Sequence, residues 1–119
     1  MSESISWHVE LEVKPGRMDA FRALTDKMVE ASKGESGALT YERFIGDDNR
    51  SVQVYERYVD SAAAVAHLKM FGATYGQEFT SMVERKRFIV FGTPTPDLKQ
   101  ILDPLGAIYF ARLAGFSRG

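Results

Sequence analysis

The chain has 119 residues, no cysteine and a formal net charge of −1, with 45% hydrophobic and 26% charged residues. That size and balance describe one soluble globular domain, and they exclude disulfides, thiolate nucleophiles and thiolate metal sites. Near-neutral charge leaves no electrostatic footprint for nucleic acid or an acidic membrane surface, so neither is expected as a partner. Met1 to Glu12 mixes acids with apolar residues and has no continuous apolar run. It is therefore expected to be neither a signal peptide nor a membrane span, and the expected location is cytoplasmic.

In chain order, Ile5, Trp7, Val9, Leu11 and Val13 alternate with Ser6, His8, Glu10 and Glu12, the pattern of a strand with one buried face. Lys14-Pro15-Gly16 ends it, with Pro15 suited to the first turn of a following helix. Phe21, Leu24, Met28 and Ala31 then recur at helical spacing, with Arg17, Asp26, Lys27 and Glu30 turned away, until Gly34 and Gly37 stop the helix. Residues 38–45 and 51–58 read as strands joined by the turn chemistry of Gly46-Asp47-Asp48-Asn49, which makes them a hairpin. Asp60 and Ser61 cap a second helix whose stripe is Val65, Leu68, Tyr75, Phe79 and Met82, with a break expected between Met70 and Gly72. Arg85-Lys86-Arg87, after Glu84, reads as the solvated start of a strand rather than as a phosphate site. Residues 87–92 are almost wholly apolar and predict a strand buried on both faces.

The order β-α-β-β-α-β predicts an α+β, ferredoxin-like domain over residues 1–92, with two helices on one face of a four-stranded sheet. The other face, expected to carry Leu39, Tyr41 and Ile45 or their alternates, is too apolar for solvent. A homodimer with sheets packed together is the economical way to cover it. Residues 93–119 form an extension: a short helix from Thr95-Pro96-Asp97 through Leu102, ended by Asp103-Pro104, a further strand at Ala107 to Phe110, then Leu113 and Phe116. So apolar a tail is expected to dock on its own domain or on the dimer partner.

Three stretches carry a family resemblance: Val13-Lys14-Pro15-Gly16 before a helix, Gly34 to Glu42 leading into the second strand, and Tyr55-Glu56-Arg57-Tyr58-Val59-Asp60 followed by Ala66-His67-Leu68. Their order and spacing, over roughly residues 5–92, resemble the antibiotic biosynthesis monooxygenase family. The resemblance implies a dimeric α/β barrel with a pocket between each sheet and its second helix. It also implies a cofactor-free oxygenase acting on phenols, anthrones or quinols. Two departures bear on this. Many relatives carry a second histidine where this chain has Gly72, and Tyr58 stands where Trp is common. In haem-degrading relatives the helix positions of a Trp and an axial His correspond here to His67 and Gln77, so haem degradation is not expected.

His67, at the border of the apolar stripe, is the candidate catalytic residue. It could take a proton from a phenol or quinol, or simply cap the apolar face through a hydrogen bond. Trp7, Tyr41, Tyr58, Phe71 and Tyr75 are the candidate substrate-binding set, as aromatic walls for a planar molecule or as ordinary core. Glu56 reads either as a buried acid beside the pocket or as the partner of an arginine such as Arg43. His8, opposite Trp7 in parity, reads as a surface or interface histidine. Two histidines without cysteines form no metal-ligand spacing, so no metal and no cofactor are expected. The competing functional reading is a small-molecule binding module or isomerase-like dimer that uses the same pocket without oxygen; molecular oxygen is a partner only of the first reading.

Overall fold

A computed structural model describes residues 3–118; Met1, Ser2 and Gly119, at the ends of the two regions read above, lie outside them. The elements are β1 (Ile5–Val13), α1 (Met18–Lys33), β2 (Ala38–Ile45), β3 (Ser51–Tyr58), α2 (Ser61–Thr74), α3 (Gly76–Met82), β4 (Val83–Phe91), α4 (Pro96–Leu102), a 3₁₀ turn (Asp103–Leu105) and β5 (Ile108–Phe110). This is the α+β, ferredoxin-like arrangement extended by one strand. The sheet order is β2-β3-β1-β4-β5, antiparallel throughout except for the parallel β4–β5 pair.

Strand β1 sits at the centre because its alternation is complete: all five odd positions are buried and the intervening four are half-buried. Each such side chain removed from water contributes about 1.5–3 kcal/mol, so this strand anchors the core. Phe21, Leu24 and Met28 of α1 pack on the same face, and Leu98 and Leu102 of α4 are fully enclosed there. No described helix is long and apolar enough to cross a membrane.

Several expectations need correction. Helix α1 begins at Met18 rather than at Pro15, because Gly16 takes φ 77° and closes a turn first. Ser32, not Ala31, is the fully buried residue of its last turn. The second helix breaks at Tyr75, not between Met70 and Gly72: Gly72 lies in open space and is carried within α2. Strand β4 starts at Val83, four residues early, and is buried on one face only, with Phe88 and Val90 inside and Phe91 exposed. Of the two parities left open for the uncovered face, the alternates occupy it. Tyr41 and Ile45 pair with Glu56 and Val52 and so share the helix side, while Thr40, Glu42 and Phe44 point outward. The open face is consequently a mixture of polar residues with Phe44, Ile89 and Phe91. The tail divides: α4 is packed against α2, with the Thr95 amide donating to Ser61 Oγ, whereas Leu113 and Phe116 are exposed.

Candidate active site

Strand β3 continues the inward alternation Val52, Val54, Glu56, Tyr58, which drives a carboxylate into the core face. Glu56 is 5% exposed. A carboxylate so placed needs donors to replace water, and three neighbours supply them. Arg43 Nη2 donates to Oε2 at 2.7 Å, Tyr58 OH to Oε1 at 2.7 Å and Trp7 Nε1 to Oε1 at 3.2 Å. Trp7 and Tyr41 are the direct cross-strand partners of Glu56 on either side, and Arg43 and Tyr58 are two residues along their strands from this row.

Helix α2 adds the imidazole. Asp60 caps its first turn by accepting from the Ala63 amide, and Ser61, Ala64 and His67 follow at three-residue spacing on the buried face. His67 therefore lies in the middle of the buried stripe, not at its border. Its Nε2 is 3.5 Å from Glu56 Oε1, and its Nδ1 is 3.0 and 3.2 Å from the two oxygens of Glu35. An ionised carboxylate only accepts, which puts the Nδ1 proton toward Glu35 and leaves Nε2 facing the Glu56 side. The loop carrying Glu35 can come this close because of Gly37, where a Cβ would meet the Ala63 Cβ at 2.5 Å.

Next to this network lies a cleft of about 390 Å³ between the inner sheet face and the helices α2 and α3, lined on a further side by Ile101 and Leu105. Trp7, Val54, Leu68, Phe71, Phe79 and Phe88 make its apolar wall; His67, Glu56 and Arg43 are at one pole, and Gln77, Thr80 and Arg85 also line it. The phenols behind it are held protonated. Burial, above all, pushes Tyr41 up to about 12, with the Arg43 guanidinium 3.6 Å over its ring acting in the opposite sense. Tyr58 is pushed further up by burial and by Glu56, to which it donates. Among the described residues, no group of His, Asp and Glu is arranged to hold a metal ion.

Residues 4–85, more than half of the chain, match the family described as antibiotic biosynthesis monooxygenase. The chain belongs to the antibiotic biosynthesis monooxygenase family. Among solved structures, MupZ from Pseudomonas fluorescens superposes with a TM-score of 0.80 at 22% identity, covering 98% of this chain and 96% of its own. SnoaB from Streptomyces nogalater, a cofactor-independent oxygenase (N63A variant), gives 0.66 at 11% identity, covering 79% and 96%. Rv0793 from Mycobacterium tuberculosis gives 0.66 at 20%, covering 78% and 97%. At these identities the likeness is one of fold. The first of the three extends through the C-terminal α4–β5 unit. Comparison with curated proteins gives no match.

In this member of the antibiotic biosynthesis monooxygenase family, the aromatic set read from the sequence separates into layers. Trp7 and Phe71 line the cleft together with His67. Tyr58 and Tyr41 stand one layer behind, their rings 5.0 and 5.5 Å from the imidazole, and act on it rather than on the cleft. Tyr75 lies at the α2–α3 junction against Phe71, at 6.5 Å, and does not line the cleft. His8 is on the open face between Tyr55 and Ile89, away from the network. Glu56 satisfies both of its readings, as a buried acid at the cleft and as the partner of Arg43. Glu35, Phe79 and Arg85 were not foreseen in the site. Glu35 lies in the Gly34 to Glu42 stretch, which was read only as the way into the second strand, and the parity of Arg85 is hidden by a bulge in the β1–β4 register.

Proposed function

We propose that this chain is a cofactor-independent monooxygenase that holds a small aromatic phenol, anthrone or quinol in the cleft, with its hydroxyl toward His67. The observation that carries the reading is the line Glu35–His67–cleft: an imidazole that lines the apolar pocket, with one carboxylate against Nδ1 and Glu56, which also lines the pocket, 3.5 Å from Nε2. His67 takes the hydroxyl proton on Nε2, and Glu35 and Glu56 stabilise the imidazolium that forms. The electron-rich substrate anion then supplies the electrons for oxygen. For an anthrone, the CH₂ group is oxidised to C=O, and for a phenol or quinol a ring C–H and the hydroxyl become the two C=O groups of a quinone; in each case one atom of O₂ enters the product and the other leaves as water. Family membership and the oxygenase description of SnoaB support this assignment. The same reading takes the open sheet face as the homodimer contact, supported by the exposed aromatic rings of Phe44 and Phe91 on it; light scattering at micromolar concentration tests it, and a monomer would remove it.

The relay itself moves protons, and nothing in it is specific to oxygen. That favours, as second reading, an isomerase-like protein or a binding module using the same cleft. Oxygen uptake with a panel of anthrones and quinols separates the two. Uptake above the spontaneous rate, reduced about a hundredfold in His67→Ala and less in Glu35→Gln, is expected. No uptake, combined with deuterium exchange into the same compounds under nitrogen, would overturn the oxygenase and support the isomerase.

A further inference from the structure

The run Arg85-Lys86-Arg87 is exposed along its length, as a solvated strand start should be, but its side chains are divided between the two sheet faces by a bulge. Arg87 pairs with Glu10 on the open face, the register slips by one residue at Lys86, and Arg85 pairs with Leu11. Cross-strand partners share a face, and Leu11 is a core residue, 1% exposed. The bulge therefore turns one guanidinium of the three into the helix side of the sheet, where it lines the cleft. Three cations on or beside the sheet have carboxylates: Arg43 has Glu56, Arg50 has Glu12 and Lys86 has Glu84. Arg85 has no ion pair or hydrogen bond among the described residues. Arg85 remains solvent-exposed at the cleft's rim, and partial desolvation lowers its pKa with no charged neighbour opposing it.

Position sets the geometry of what could complete it. Glu56 sits beside Trp7 on one side of β1, and Arg85 beside Leu11 on the other. Four residues of strand separate those two rows, about 13 Å. Between them the cleft wall is Phe79, Phe88 and Leu105. We propose that Arg85 is an anion subsite, so that the cleft takes amphipathic acids: an apolar or aromatic body, a reactive hydroxyl at the His67 end and a carboxylate on Arg85 at the other. A planar guanidinium fork matches a carboxylate in two hydrogen bonds, which a neutral substrate could not supply. The inference deepens the proposed function and rests on its assignment of the cleft as the substrate site.

The test uses para-hydroxyphenyl hexanoic acid and its methyl ester as probes, with binding followed by the fluorescence of Trp7 and by calorimetry. The wild-type protein is expected to bind the acid about tenfold more tightly than the ester. Arg85→Met should abolish that preference by weakening the acid alone, and Arg85→Lys should restore part of it. His67→Ala should keep it. Equal binding of acid and ester by the wild type, or a preference that survives in folded Arg85→Met, overturns the subsite and leaves the cleft assignment standing. Binding of neither probe overturns both. An acid preference without oxygen uptake leaves the subsite intact and removes the oxygenase.

Discussion

Removing Arg43 is the perturbation that most directly probes why a carboxylate can sit in this core. The Arg43–Glu56 pair is 2.7 Å long, with side chains 11% and 7% exposed. Breaking a buried pair from one side strands the other charge, at about 3–5 kcal/mol. Glu56 keeps the Tyr58 and Trp7 donors, so Arg43→Met belongs at the lower end, about 3 kcal/mol, or a fall in Tm of about 10–15 °C for a domain of this size. The design of the companion mutant follows from the same contacts. In Arg43→Met/Glu56→Gln the amide oxygen still accepts from Tyr58 and Trp7, but no charge is left unpaired. The double mutant should therefore be more stable than Arg43→Met alone by about 1–3 kcal/mol, a strong coupling. Urea titration followed by fluorescence suits the question, because the chain has a single tryptophan and its indole donates to Glu56 itself. Additive losses in the two mutants, or a cost below about 1 kcal/mol for Arg43→Met, as for a surface ion pair, would refute the account of Glu56 as a buried anion held by its donors.

Two further perturbations test the surroundings. Tyr41 is an acid whose folded-state value is raised from 10 to about 12. Its neutral form is favoured on folding, so its contribution is complete below pH 10 and is lost as pH rises toward 12. Tyr41→Phe should raise the alkaline unfolding midpoint and, since among the described residues the buried hydroxyl makes at most a weak contact to the Ser32 hydroxyl, cost nothing or gain up to about 1 kcal/mol at neutral pH; a lower midpoint in a pH-jump unfolding series would contradict this. Gly37→Ala should cost about 1–3 kcal/mol through the close approach to Ala63 and lower any activity that depends on Glu35. Adding Ala63→Gly should recover part of the loss in a thermal melt, and no recovery would show that the contact is not the cause.

Much of the architecture was legible because β1 and β3 obey simple alternation and the strands are bounded by Pro, Gly and Asp-rich turns. The bounds of the hairpin strands emerge as read, at 38–45 and 51–58. Where the reading slipped, an irregularity was responsible. The bulge in the β1–β4 register disguised the polar first half of β4, and a glycine without packing neighbours at position 72 did not stop α2. The same glycine bears on Tyr75, which lies at the helix junction itself because the break comes there and not three residues earlier.

The site was legible only in part, and the physical reason differs by residue. Glu56 and Arg43 each occupy an inward parity position, between Val54 and Tyr58 and between Tyr41 and Ile45. Two opposite charges on the core side of one hairpin are expensive separately and tolerable together, so their pairing could have been inferred once the register was set by the turn. His67 follows from the same rule on a helix: a polar residue three positions after a buried alanine must find a partner inside. Glu35 had no such signal. Its place depends on how closely a loop can approach α2, which Gly37 decides through a contact between residues 26 apart, as 63 − 37. Arg85 sits between these cases. Its parity is readable only after the bulge is known, and with no carboxylate opposite it among the described residues, the sheet leaves a cation facing the cleft that the fold itself does not neutralise.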